Sequence, residues 1–207
     1  MCMKNILIVG AHPDDIELGC IATVLKLKDE GKKVFCLIMT KGENWLEKTY
    51  EERIEEQGLS FKNKSFDRIY IGEFKDGYIK RESDVIDYVS NIIKENNIDT
   101  IFCQYYEDSH QDHVNTSLVV KSASLNCDNL LYYESLTSKN FFPNFFVDVS
   151  NYENEKKEML RCFTSQINKY SNRNQNLIEY VNSKDKLNGI KIKKNYAEGF
   201  IVDKYQL

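Results

Sequence analysis

No run of lysine or arginine in this sequence exceeds two residues, and the net charge is −4. The basic stripe that usually marks nucleic-acid binding is therefore missing. No apolar stretch approaches the roughly 20 residues that a membrane-spanning helix needs. The opening MCMKNILIVGAH carries one lysine and a short apolar run that leads into His-Pro-Asp-Asp. It has no small-residue cleavage site, so no secretory signal is expected. That first run ends in VGAHPDD, which lacks the G-x-G-x-x-G signature of dinucleotide binding. Six cysteines (Cys2, Cys20, Cys36, Cys103, Cys127, Cys162) are scattered without a C-x-x-C pair. They read as reduced thiols, several buried beside strands, and a cytoplasmic location follows as the default. Proline occurs only twice, at Pro13 and Pro143, both in segments read as non-helical.

What remains is an ordinary globular composition: 42% hydrophobic and 29% charged residues in a chain of 207. That length suits one domain, or one with a small appendage. Buried-strand runs alternate with helical patterns. Strands are expected at Asn5–Gly10, Val34–Met39, Asp67–Ile71 and Thr100–Cys103, and helices at Glu17–Glu30, Thr49–Lys64, Ser83–Asn96 and Asp112–Leu125. Such alternation predicts a parallel sheet covered by helices on both faces. In the common doubly wound order, 3-2-1-4-5, strands one and four are neighbours and ligands bind at their C-terminal ends. The second half is less regular. Leu130–Glu134 and Asn144–Val149 look like strands, and Asn151–Tyr170 and Asn174–Lys186 look helical. The end, NYAEGFIVDKYQL, reads as a closing strand or a loop with a tail. The aromatic stretch NFFPNFF reads as core, pocket wall or subunit contact, with core expected for most of its rings.

The three histidines, His12, His110 and His113, are the most informative residues. All follow predicted strands one and four, the two loops that a doubly wound sheet brings together. The first loop reads Ala-His12-Pro-Asp14-Asp15 and the second Ser-His110-Gln-Asp112-His113, each entering a helix. Pro13 pushes His12 towards an extended backbone. Two histidines and one carboxylate with a fourth position left for water make a catalytic zinc site. A remaining carboxylate can serve as general base, and a remaining histidine can stabilise an oxyanion or protonate a leaving amine. Helix capping would account equally well for Asp14, Asp15 and Asp112 taken singly. It does not account for three converging histidines.

At these residues the chain resembles the LmbE-like (PIG-L) N-deacetylases. AHPDDIELGC corresponds to the first signature of that family and HQDH to its second. TKGE (Thr40–Glu43), Arg53 with Glu56, Asp76-Gly77, YYES, PNFFVDVS, Ser165-Gln166 and YAEGF extend the match. The likeness runs to about Gln166, and the segment from about residue 167 to Tyr196 diverges. Ile21 and Ala22 stand where the family often has a glycine pair. The resemblance implies one Rossmann-like three-layer domain over residues 1–207, with a mainly parallel sheet and a metal site at the C-terminal ends of strands one and four. It implies His12, Asp15 and His113 as metal ligands and Asp14 as general base. His110 would stabilise the oxyanion or act as acid, and Asp112 would orient it. Arg53, Asp76 and Glu43 would line a sugar site, although Arg53, flanked by Glu51, Glu52, Glu55 and Glu56, would equally suit surface helix pairs.

The implied activity is removal of the N-acetyl group from an N-acetylated amino sugar or its nucleotide, lipid or thiol conjugate. Zn2+ is the expected metal, and Fe2+, Co2+ or Ni2+ can use the same ligands. The expected partner is that small molecule, with no nucleic acid and no membrane span, and a homo-oligomer is a candidate state. Two alternatives stand beside this reading. One is hydrolysis of a different amide or ester. The other is a non-catalytic sugar- or nucleotide-binding protein, against which Asp14 argues, since binding alone needs no base.

Overall fold

The computed structural model describes residues 3–42 and 50–206. Its centre is a seven-stranded sheet in the order β3-β2-β1-β4-β5-β7-β6. The five strands β1 (Asn5–Gly10), β2 (Lys33–Thr40), β3 (Arg68–Phe74), β4 (Thr100–Gln104) and β5 (Asn129–Tyr133) run parallel. This is the 3-2-1-4-5 order expected from the alternating pattern. β7 (Ala197–Lys204) then inserts antiparallel between β5 and the edge strand β6 (Phe145–Asp148).

Side chains of a strand point alternately to its two faces, and here both faces are covered. Leu7 and Val9 pack with Val85, Val89 and Ile92 of α4 (Ser83–Glu95) and with Val119 and Val120 of α5 (Gln111–Ala123). Ile6 and Ile8 face the other way, onto Ile16 of α1 (Asp15–Gly19), Ile21 and Val24 of α2 (Ile21–Asp29), and Phe61 of α3 (Tyr50–Phe61). Each such buried aliphatic side chain stabilises by about 1.5–3 kcal/mol relative to exposure. Continuous apolar strands are the mark of a sheet buried on both sides.

Two expected helices are broken. The Glu17–Glu30 pattern is split at Cys20 (φ −150°, ψ 12°) into α1 and α2. The new start of α2 has a physical reason: the amides of Ala22 and Thr23 are capped by the Glu198 carboxylate of β7, at 3.2 and 2.7 Å. Likewise Asn151–Tyr170 divides into α6 (Glu153–Arg161) and α7 (Thr164–Ser171), where Glu56 of α3 accepts the Ser165 N–H at 2.7 Å. α8 (Leu177–Lys191) runs past the expected end at Lys186. The aromatic stretch lies at the margin of the core and not in it: Phe141, edge-on against Tyr105, Phe145 and Phe146 are half-buried, and Phe142 is 79% exposed. Cys20, Cys36, Cys103 and Cys127 are buried free thiols, and Cys162 is half-buried and free. No helix of the described residues is long and apolar enough to cross a membrane.

Candidate metal and catalytic site

β1 lies between β2 and β4, and the chain leaves the C-terminal ends of β1 and β4 towards opposite faces of the sheet, into α1 and α5 respectively. A crevice opens at such a switch point. His12, Asp14 and Asp15 leave β1 into this crevice, and His110 and His113 enter it from β4 at the start of α5, with Asp112 buried behind His12. The imidazole centroids of His12, His110 and His113 lie 4.6–5.4 Å apart. The floor belongs to a cavity of about 400 Å³ whose walls include Arg53, Asp76, Gln166, Lys169 and Tyr170.

The first loop is strained. Asp14 adopts φ 94°, ψ −23°, a left-handed conformation at the N-cap of α1, yet its side chain caps nothing. Non-glycine residues seldom adopt it without a compensating reason. The carboxylate instead lies 3.4 Å from Arg53 Nη2, which also donates to the Pro13 carbonyl. Arg53 is 7% exposed, so the surface pairing open to it in the sequence is not its place. Burial pushes the Asp14 carboxyl up to about 6, against the pull of Arg53 and with Asp15 adding to the rise.

Asp15 bridges the two loops. Its Oδ2 lies 3.4 Å from His12 Nδ1 and its Oδ1 lies 3.4 Å from His113 Nε2. Oδ2 also accepts the His12 N–H at 2.6 Å and Gln104 Nε2 at 2.7 Å, while Gln104 Oε1 takes the Ala11 N–H at 3.0 Å. Burial opposes the Asp15 charge, but His113 and His12 hold it well below the usual carboxylate range.

The outer nitrogens of the two imidazoles are held by other carboxylates. His12 Nε2 is 3.0 Å from Asp76 Oδ1 and 3.3 Å from Asp112 Oδ2. His113 Nδ1 is 3.2 Å from Asp108 Oδ2. Asp112 also accepts the amides of Gly77 and Ile79, at 2.6 and 3.2 Å. The resemblance makes Asp112 the partner of His110. In the structure its carboxylate faces His12, and it reaches His110 through its backbone N–H, 3.3 Å from Nδ1. Burial opposes charge on His12, but its bonds to Asp112, Asp15 and Asp76 raise its pKa well above the ordinary value. Burial and the neighbouring histidines lower that of His110.

This donor set fits a metal. Ligands about 2.0–2.1 Å from a tetrahedral zinc stand roughly 3.4 Å apart, and Asp15 approaches each imidazole at 3.4 Å, with Oδ2 towards His12 and Oδ1 towards His113. Imidazoles that bind metal through one nitrogen commonly donate the other N–H to a carboxylate, as Asp112 and Asp108 are placed to accept. Among the described residues, the three-residue sets whose ligating atoms all lie within 4.8 Å of one another are His12, His110 and His113, and His12, Asp76 and Asp112.

Three residues of this environment were not singled out from the sequence. Gln104 ends an apolar strand, and Asp108 precedes the H-x-D-H motif without belonging to it. Glu17 is fully buried and accepts Gln57 and Ser60 of α3 at 2.7 and 2.6 Å. Its position shortly after His-Pro-Asp-Asp was the available signal. Glu43 lies outside the described residues.

Sheet order and a candidate His/Asp metal site at the switch point are those of an α/β protein with donors placed to hold a metal. Residues 7–124, more than half of the chain, match the PIG-L family, described as GlcNAc-PI de-N-acetylase, and the chain belongs to that family. YaiS of Escherichia coli K12, an uncharacterized deacetylase, is 30% identical over 153 residues, 70% of this chain and 82% of YaiS. The conserved protein TT1542 of Thermus thermophilus superposes with a TM-score of 0.87 at 24% identity, over 99% of this chain and 97% of that one. N,N′-diacetylchitobiose deacetylase of Pyrococcus horikoshii gives 0.81 at 22% identity, over 97% and 84%. The two structural likenesses show a common fold; the family makes the chain an N-deacetylase.

Proposed function

We propose that this chain is a zinc-dependent deacetylase that hydrolyses the N-acetyl group of an N-acetylated amino sugar, free or conjugated. His12, Asp15 and His113 hold the metal in this reading. The observation that carries it is the 3.4 Å approach of Asp15 to both His12 Nδ1 and His113 Nε2, with the strained Asp14 beside them. Membership of a family described by a GlcNAc-linked substrate and the fold shared with a chitobiose deacetylase support the substrate class.

A bound zinc supplies Lewis-acid activation of water and of the amide carbonyl. Asp14 takes the proton of the attacking water, and its fixed backbone holds the carboxylate at the cavity floor. His110, stacked on His113 with centroids 4.6 Å apart, stabilises the developing oxyanion or protonates the departing amine. The products are acetate and the free amine. Arg53 and Asp76 line the cavity where sugar hydroxyls would lie. Fe2+, Co2+ or Ni2+ can replace zinc on the same donors.

Acetate release from a panel of N-acetylated amino sugars and their nucleotide conjugates tests the proposal. Zinc-loaded protein should release acetate, lose it on chelation, and lose it in Asp14→Asn. Zinc-loaded protein that leaves the whole panel intact would overturn the substrate class and favour another amide or ester.

A further inference from the structure

We infer that Asp108 is a positioning residue of the metal centre, fixing which nitrogen His113 offers and where α5 begins. This rests on the ligand set proposed above.

The Asp108 side chain is fully buried, and both of its oxygens are in use. Oδ2 lies 3.2 Å from His113 Nδ1 and accepts the hydroxyls of Ser135 and Ser138, the latter at 3.2 Å. Oδ1 accepts the His110 backbone N–H at 2.7 Å and the Thr137 hydroxyl at 2.6 Å. A carboxylate has about four lone-pair sites, so these five partners fill it. The hydroxyl donors come from the segment after β5, which an isolated bridge between Asp108 and Ser138 ties to the loop after β4.

The consequence for His113 is chemical. An imidazole has one lone pair to give a metal, on the nitrogen that carries no proton. Asp108 Oδ2, at 3.2 Å, is nearer to His113 Nδ1 than the hydroxyls of Ser135 and Thr137, at 3.3 and 3.4 Å, and with the Nδ1 proton given to that carboxylate His113 keeps the lone pair on Nε2, the atom 3.4 Å from Asp15 Oδ1. His12 is set the opposite way: Asp112 and Asp76 take Nε2, leaving Nδ1 towards Asp15. The bond to the His110 N–H fixes the N-cap of α5, the helix that carries His113. Asp108 thus anchors the chain on either side of the second motif without reaching the cavity.

The test combines zinc affinity with side-chain 15N NMR. Asp108→Asn should weaken zinc binding, measured by competition with a chromogenic chelator, by about 10- to 100-fold. In zinc-loaded wild-type protein, His113 should show a protonated Nδ1 and a metal-bound Nε2. This spectrum decides the matter even if Asp108→Asn fails to fold, because coordination through Nδ1 overturns the inference. Unchanged zinc affinity in Asp108→Asn, with binding abolished in His113→Ala, would also overturn it while leaving the ligand set standing. Wild-type affinity in His113→Ala would remove the ligand set and the inference together.

Discussion

Arg53 Nη2 reaches both the Pro13 carbonyl and the Asp14 carboxylate, the latter at 3.4 Å, and so braces Asp14 in its left-handed turn. Substitutions at Asp14 separate chemistry from strain. Asp14→Asn keeps the shape and the metal ligands, and removes the proposed base. Acetate release should fall by about 10²- to 10⁴-fold, while zinc affinity stays near that of the wild type. Asp14→Gly should be equally inactive but more stable than Asp14→Ala by about 1 kcal/mol, because only glycine adopts this φ without steric cost. Urea unfolding of the two variants checks the second expectation. Equal stabilities would mean that the turn carries no strain.

Behind α2 lies a buried charge cluster. Lys156 is fully buried, and its Nζ is 2.6 Å from both Asp185 Oδ2 and Glu198 Oε1. Glu198 in turn caps α2 through Ala22 and Thr23. Lys156→Met would leave two buried carboxylates without their cation, and stability should fall by about 3–5 kcal/mol. The triple change Lys156→Met, Asp185→Asn, Glu198→Gln should recover part of that loss, since it removes the uncompensated charge. Urea midpoints report both. A single variant as stable as the wild type would show that the cluster is solvated.

Some of this architecture is legible in the sequence, and the reason is physical. β1, β2 and β4 are apolar along their interiors because both faces of the sheet are covered, and such runs stand out against charged helices. The histidine loops stand out because imidazoles are so few here. Arg53 is harder to place: its glutamate neighbours look like surface partners, and only the packing of α3 against the His12 loop shows that it points inward. Asp108 has no motif of its own, since its role depends on hydroxyls from a loop 27 to 30 residues away. The insertion of β7 between β5 and β6 rests on long-range strand pairing, and the break at Cys20 is matched by a cap from a distant residue, Glu198. No local periodicity encodes such a contact.

Glu153 supplies a pH dependence remote from the metal. Its side chain is 2% exposed, and burial, reinforced by Asp185, pushes its carboxyl up to about 7 against the pull of Lys156 and Lys157. An acid whose pKa is higher folded than unfolded binds its proton more tightly in the native state. Its contribution to stability is present below about 4.5 and is lost as pH rises through about 7. Glu153→Gln cannot ionise. It should therefore gain stability relative to the wild type between pH 5 and pH 8, by on the order of 1–3 kcal/mol. Urea unfolding of both proteins at the two pH values measures the difference. A constant offset would show that Glu153 titrates normally in the folded chain.

Gly19 ends α1 against the ring of Tyr133, where an added Cβ would fall 2.1 Å from Cδ2. Tyr133 cannot yield easily: it is fully buried and its hydroxyl donates to the Val9 carbonyl at 2.8 Å. The contact seats α1 on the sheet beside β1, and α1 begins with Asp15. Gly19→Ala should cost at least about 1–3 kcal/mol through overpacking. Part of that cost should disappear in a Tyr133→Ala background, where the ring no longer opposes the methyl group. A double-mutant cycle should give a coupling of about 1 kcal/mol or more between the two positions. Additive effects would mean that α1 shifts as a body to admit the methyl. Zinc affinity, which depends on where Asp15 sits, should then fall in Gly19→Ala even though the ligands are unchanged.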